Sequence, residues 1–228
     1  MSEWANERLD VEAVLFDFDG TLVCLNIDFA QMRADVEAIL PRYGLSVDEI
    51  APRYTLELIE ECVEALAKRD SVETAAAFRR DAEAAVVAVE TDAADTAQVH
   101  SGVPELLKTL RERGIKIGIV TRNCRAAVEC ILSRNALIYD VLLTRDDVKA
   151  VKPDPAHLLT ALRLLAVKPW RALMVGDHPM DVRSGRAVGA RTVAVLTGYS
   201  SIESFLPEQP DLILEQVGDL CSTLTFDA

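Results

Sequence analysis

Residues 11–22, VEAVLFDFDGTL, constrain this chain more than any other stretch. An apolar run of strand type, Val14, Leu15 and Phe16, ends in two carboxylates two positions apart, Asp17 and Asp19. Gly20 and Thr21 follow, where the backbone must turn. A continuous apolar run is the pattern of a parallel strand buried on both faces, and acids just past its carboxyl end point into the crevice where open α/β sheets bind ligands. The other reading of the same residues is a turn with two solvated aspartates, because Asp and Gly are ordinary turn residues.

From His100 onward short apolar runs alternate with helical stripes. Residues 102–114 read as a helix with Pro104 in its first turn, a stripe of Val103, Leu106, Leu107 and Leu110, and a glycine past its end. Strands at 115–120, 141–144, 172–175 and 192–196, with a short one at 212–214, alternate with helices at 125–133, 155–166 and 180–188. Right-handed βαβ units follow, and with them an α/β fold built on a doubly wound, mostly parallel sheet.

Residues 26–95 differ in character, being rich in Ala, Glu and Arg with Gly44 as the single glycine. They read as a helical insertion, so the expected organisation is a core of residues 1–25 and 99–228 carrying an α-helical cap of residues 26–98. One cap helix is expected at 29–40, stopped by Pro41. A second starts at Ser46, which has capping-box spacing to Glu49, and buries Ile50, Leu56, Leu58, Ile59, Val63 and Leu66. A third starts at Asp70 or Ser71 with Val72, Ala75, Ala76, Ala82, Val86 and Val89 on its stripe. The first ten residues read as a polar lead-in with Trp4 as a packing anchor.

Three more polar clusters repeat the geometry of the first. IKIGIV runs into Thr121, Arg122 and Asn123; VLLT is followed by Lys152 in KPDP; ALMVG runs into Asp177, with Asp181 four residues on. Singly, each has an ordinary explanation: Thr121 as a helix N-cap, Lys152 as a loop lysine, Asp177 and Asp181 as first-turn acids facing a helix dipole. If those strands are parallel neighbours, all four clusters share one edge of the sheet.

DFDGTL, Thr121, Lys152 and the pair Asp177 and Asp181 resemble, in order and over essentially the whole chain, the motifs of the haloacid dehalogenase (HAD) superfamily of phosphohydrolases, most nearly its phosphoglycolate phosphatase-like branch. The resemblance implies that Asp17 is a nucleophile forming an aspartyl-phosphate and that Asp19 serves as general acid and base. It also implies Mg²⁺, held by Asp17, Asp177 and the backbone carbonyl of Asp19, with Asp181 acting from behind through water or Lys152. Lys152 would neutralise the phosphoryl oxygens; the Thr121 hydroxyl and the amides of Gly20 and Arg122, with Asn123 beside them, would bind them. Two positions depart from the pattern: Cys24 stands where an acid is common, and Arg122 where Asn is common, which makes Arg122 either a clamp for a substrate anion or a plain surface charge. His178 reads as a loop residue, and His100 and His157 as structural.

Dehalogenation is the second enzyme class on this fold, and Asp19 speaks against it; a phosphomutase shares all four motifs; a non-catalytic phosphate-binding regulator would have lost one of them. The formal net charge of -13 excludes a basic footprint for nucleic acid or anionic lipid. Five cysteines without a CxxC pair read as reduced thiols, and no apolar stretch reaches the roughly 18 residues of a membrane helix. A cytoplasmic monomer or homodimer acting on a small phosphorylated metabolite is the expectation.

Because the helical insertion interrupts the sheet right after the catalytic strand, it is expected to act as a lid that selects substrate. Replacing residues 27–98 with a short linker should retain some hydrolysis of an aryl phosphate while erasing discrimination among phosphorylated metabolites. Unchanged relative kcat/KM across such a panel would show that the insertion does not set specificity.

Overall fold

Ala13, Val14, Leu15 and Phe16 are wholly buried, as a strand with neighbours on both edges and helices on both faces must be. The computed structural model describes residues 8–46, 54–223 and 225–226. The strands are β1 (Arg8–Leu9), β2 (Ala13–Phe16), β3 (Val23–Cys24), β4 (Gln98–Val99), β5 (Lys116–Val120), β6 (Val141–Leu143), β7 (Ala172–Gly176), β8 (Arg191–Val195), β9 (Leu212–Leu214) and β10 (Thr225–Phe226). The longer helices are α1 (Phe29–Glu37), α2 (Thr55–Arg69), α3 (Val72–Ala94), α4 (Val103–Glu112), α5 (Arg125–Asn135), α6 (Pro155–Leu165) and α7 (Pro179–Val188).

Six strands form one parallel sheet in the order β6-β5-β2-β7-β8-β9. The chain adds β5 and β6 on one side of β2, then crosses to add β7, β8 and β9 on the other. The order therefore reverses at β2, and a crevice opens at the carboxyl ends of β5, β2 and β7. Phe16 stands opposite Ile119 and Val175, so the residues that follow these strands emerge side by side.

On one face of the sheet α6 lays Leu158, Ala161, Leu162 and Leu165 against Leu15, Val120, Leu143 and Met174. Gly118 makes room for this: a β-carbon there would stand 2.5 Å from Leu15 Cδ2. On this same face Val182 of α7 packs with Ala194 and Phe205, because the register that sets Met174 beside Thr192 turns Ala194 to the side of Met174 and Leu15. A short antiparallel ladder, Val23 with Val99 and Cys24 with Gln98, closes the base of the inserted segment. No helix among the described residues is long and apolar enough to cross a membrane.

The chain divides into two compact units, Met1–Leu25 with Ala97–Ala228, and Asn26–Thr96. The second junction thus falls before Gln98, where the sequence reading placed the end of the insertion, because the β3–β4 ladder binds Gln98 and Val99 to the first unit. In the helical unit α1 ends at Glu37 rather than Leu40, and Pro41 lies inside a 3₁₀ turn, Leu40–Tyr43, which needs no amide at that position. Trp4, Glu49 and Ile50 lie outside the described residues.

The stripe of α3 also differs from expectation. Ala75, Phe78, Ala82, Val86, Glu90 and Ala94 are buried, while Val72 is 71% exposed. The stripe is anchored by Phe78, edge-on to Tyr43 at 5.3 Å, and it drifts away from the helix start. Within α1, Arg33 is paired with Glu37 one turn on. α2 and α3 are tied by the two-pronged pair of Arg79 with Glu60, at 2.5 and 2.6 Å.

Helices α5 and α6 end on alanines in the left-handed region, Ala136 at φ 45° and Ala166 at φ 54°, where a β-carbon is strained and glycine is not. Both are exposed. Ala136→Gly and Ala166→Gly should each stabilise the protein by about 0.5–1 kcal/mol, the strain relieved less the added chain entropy. Chemical denaturation reads this directly, and a midpoint unchanged or lowered in both variants would refute it.

Candidate active site

β2 delivers Asp17, whose N–H donates to the Val175 carbonyl at 2.9 Å and continues the sheet ladder one residue past the strand. The chain then coils tightly: the Phe18 carbonyl accepts from Leu22 N at 2.9 Å and Val23 N at 3.0 Å, while the Asp19 carboxylate accepts from Leu25 N at 2.9 Å. Gly20 sits at φ 79°, and a β-carbon there would lie 2.4 Å from Asp177 Oδ2, so glycine is required twice over. Thr21 is fully buried and donates its hydroxyl to Asp177 Oδ1 at 3.1 Å.

Lys152 comes from the loop between β6 and α6 and is 1% exposed. Its Nζ lies 2.8 Å from Asp17 Oδ1 and 2.7 Å from Asp181 Oδ1. Burial alone pulls its pKa down, and the charges of Asp17 and Asp181 outweigh this and hold it above the ordinary lysine value. The Phe18 amide also donates to Asp17 Oδ1, at 2.7 Å. Both of these contacts fall on one oxygen of Asp17, which leaves Oδ2 without a protein donor among the described residues. Asp181 has both oxygens engaged, Oδ1 with Lys152 and Oδ2 with the His178 amide at 3.1 Å.

Asp177 is buried, and desolvation, then the charges of Asp17, Asp181 and Asp19, push its pKa well above the carboxylate range. Oxygen atoms of Asp17, Asp177 and Asp181 lie within 4.8 Å of one another. Crowded carboxylates of this kind hold excess negative charge that a hard divalent cation would offset, and their oxygens are the donors Mg²⁺ takes. The glycines leave the space: a β-carbon at Gly198 would stand 1.8 Å from Asp177 Oδ2, and one at Gly176 2.3 Å from Asp181 Oδ2. The residues present therefore fit such an ion.

At the end of β5 Thr121 and Asn123 are buried and turned on each other: the Thr121 hydroxyl donates to Asn123 Oδ1 at 3.1 Å and accepts from Asn123 N at 3.2 Å. Asn123 Nδ2 is a buried donor with no partner among the described residues. Two expectations need correction. The Gly20 amide donates to the Val23 carbonyl at 2.7 Å, because the tight coil after Asp19 needs that closure, so it is not held open for a ligand. The Arg122 guanidinium reaches across to Met180 Sδ at 3.0 Å, at the start of α7, rather than standing clear as a clamp.

Four contributors escaped the sequence reading. Thr21 and the Thr197–Gly198 loop brace Asp177 and Gly20, with the Thr197 hydroxyl donating to the Gly20 carbonyl at 2.6 Å. His178, read as a loop residue, caps α7 through Nδ1, accepting from Met180 N at 3.1 Å while Asp181 caps in return. His157, wholly buried, accepts the Lys152 N–H on Nδ1 at 3.3 Å. Its only advance signal was position, in the first turn of the helix that follows KPDP.

The sequence profile of a family described as haloacid dehalogenase-like hydrolase matches residues 14–195. A curated relative named pyrophosphatase PpaX, from Bacillus cereus strain B4264, is 31% identical over 231 residues, covering 94% of this chain and 97% of its own. Among solved structures, a HAD phosphatase from Thermococcus onnurineus has a TM-score of 0.61 at 27% identity, over 93% of this chain and 97% of its own. A predicted phosphoglycolate phosphatase from Haemophilus somnus 129pt has a TM-score of 0.63 at 20% identity, over 95% and 99%, a likeness of fold alone.

Burial, then the charge of Lys152, lowers the His157 pKa to about 3, with Asp147 opposing and Arg122 reinforcing the shift. The folded pKa lies below the unfolded value of about 6.5, so the stability tied to a neutral His157 is complete above about pH 6.5 and is lost as pH falls towards 3. The wild type should therefore lose stability relative to His157→Asn by up to about 1.4 kcal/mol per pH unit below about pH 6.5. Unfolding free energies of the two proteins across that window test it; parallel curves would refute it.

Proposed function

The chain belongs to the haloacid dehalogenase-like hydrolase family, and from that membership and the surroundings of Asp17 we propose that it is a Mg²⁺-dependent phosphatase acting on a small phosphorylated metabolite through an aspartyl-phosphate. One observation supports this above the others. A carboxylate at the switch point of the sheet has one oxygen held by a buried ammonium and a backbone amide and the other without a protein donor.

In this reading Asp17 Oδ2 attacks phosphorus, the bond from phosphorus to the leaving oxygen breaks, and Asp19 gives its proton to that oxygen. Water then attacks phosphorus, Asp19 takes the water's proton, and the bond to Asp17 breaks to release inorganic phosphate. Lys152 offsets the repulsion between the nucleophile and the phosphoryl oxygens, which in a buried site is worth far more than in water. Asn123 Nδ2 donates to those oxygens, the Thr121 hydroxyl joins it by turning its proton away from Asn123 Oδ1, and Asp181 keeps Lys152 charged and aimed. Mg²⁺, held by Asp17, Asp177 and the Asp19 carbonyl, would supply the remaining positive charge at the phosphoryl group.

For the substrate, an organic-acid phosphate or sugar phosphate suits the acidic chain and its helical insertion. A second reading, inorganic pyrophosphate, is favoured by the name of the relative that is 31% identical over nearly the whole chain. Phosphate release from a panel holding inorganic pyrophosphate, phosphoglycolate, sugar phosphates and p-nitrophenyl phosphate distinguishes them. Recovery of an isomeric phosphate ester in place of inorganic phosphate would mark a mutase.

Activity should require Mg²⁺ and vanish in excess chelator; full activity under chelation would overturn the metal reading. Asp17→Asn should abolish turnover, and Asp19→Asn should slow both proton transfers, so that the acyl phosphate accumulates as one phosphoryl adduct by intact mass. Wild-type turnover in Asp17→Asn would end the covalent mechanism.

A further inference from the structure

Lys152 Nζ has two carboxylates to fix it, yet a lysine side chain has four rotatable bonds, and its reach is set by where its backbone stands. That backbone lies in a loop between β6 and α6 with no strand to hold it. Three contacts bound the loop. Asp154 N donates to the Val151 carbonyl at 2.9 Å, Asp154 Oδ1 accepts from Ala156 N at 2.8 Å to cap α6, and His157 Nδ1 accepts from Lys152 N at 3.3 Å. Of these, the last alone grips Lys152 itself, and it ties the lysine to the first turn of a helix whose buried stripe, His157, Leu158, Ala161, Leu162 and Leu165, is packed into the core.

Building on the role proposed above for Lys152, we infer that His157 is a positioning residue for the phosphoryl-transfer step, acting through a lone pair on Nδ1 that fixes the Lys152 backbone. The physical case has three parts. His157 is wholly buried, so the contact is sheltered from water. An imidazole that accepts on Nδ1 must be neutral, and a neutral ring beside Lys152 adds no charge to compete with the pairing to Asp17 and Asp181. Without the acceptor the buried Lys152 amide has to find another partner, and any shift that finds one moves Nζ relative to Asp17.

The side-chain geometry supplies a sharp test. Asn carries Oδ1 where His carries Nδ1; Gln places its oxygen where His carries Nε2; Leu has the branch and no acceptor. With p-nitrophenyl phosphate and MgCl₂, His157→Leu and His157→Gln should lower kcat about ten- to a hundredfold with KM little changed, and His157→Asn should stay within about threefold of wild type. Thermal unfolding of the same variants separates packing from positioning, since a packing role would make kcat follow the melting temperature across all three.

Equal kcat losses in the Asn, Gln and Leu variants, or wild-type kcat in His157→Leu, would overturn the inference. If His157→Leu does not fold, the contrast between Asn and Gln decides alone. Lys152→Met is the reference: its inactivity alongside an active His157→Leu rejects the role of His157 only, whereas an active Lys152→Met rejects the charge role of Lys152 on which the inference stands.

Discussion

A single buried ammonium, that of Lys152, lies between the carboxylates of Asp17 and Asp181, and the rest of the site is arranged about it. Placing these charges out of water is costly, and the structure offsets the cost with pairing and hydrogen bonds on each member. Asp17 also receives an amide, Asp181 also caps a helix, and the Lys152 backbone is bonded by His157. The three charged residues come from β2, from the loop before α6 and from the first turn of α7, so the ion pairs also tie together segments that no strand pairing joins. Burial first, and then the negative charge of Asp17, Asp181 and Asp19, hold the Asp177 carboxyl well above its ordinary pKa, and a divalent cation suits the place.

Much of this was legible in the residues alone, for physical reasons. Buried parallel strands cannot hide their pattern, since every side chain on them is apolar, and Val14–Phe16, Ile117–Val120 and Leu173–Val175 announced themselves. The polar residues that follow those runs had to meet once the strands were parallel neighbours. What could not be read was direction at the scale of single atoms. Gly20 and Arg122 stand at the right places along the chain, but whether an amide faces a ligand or closes a turn depends on the coil it makes with Val23, and whether a guanidinium reaches out or across depends on Met180, remote in sequence.

The helical insertion was harder still. Alanine-rich helices carry weak stripes: Ala75, Ala82 and Val86 of α3 are buried as expected, but the buried Phe78, Glu90 and Ala94 were missed and the exposed Val72 was counted in. Histidines were the other blind spot. His157 and His178 act through a ring nitrogen that accepts a backbone N–H, a use that leaves no spacing signature because it depends on the turn geometry at a helix start.

The strand order has a consequence for how the molecule is made. Of the six strands of the main sheet β2 is synthesised first, and it lies between β5 and β7, with Ala13 opposite Lys116 on one side and Ala172 on the other. While the chain emerges from the ribosome, this apolar strand therefore waits unpaired until residues far downstream appear, whereas the helices of Asn26–Thr96 close on contacts near in sequence. Loop closure over such distances is slow. Asp17 thus finds its surroundings only after β7 has appeared, although it is translated long before, and a nascent chain truncated before β7 presents this apolar strand without the partners that would cover it.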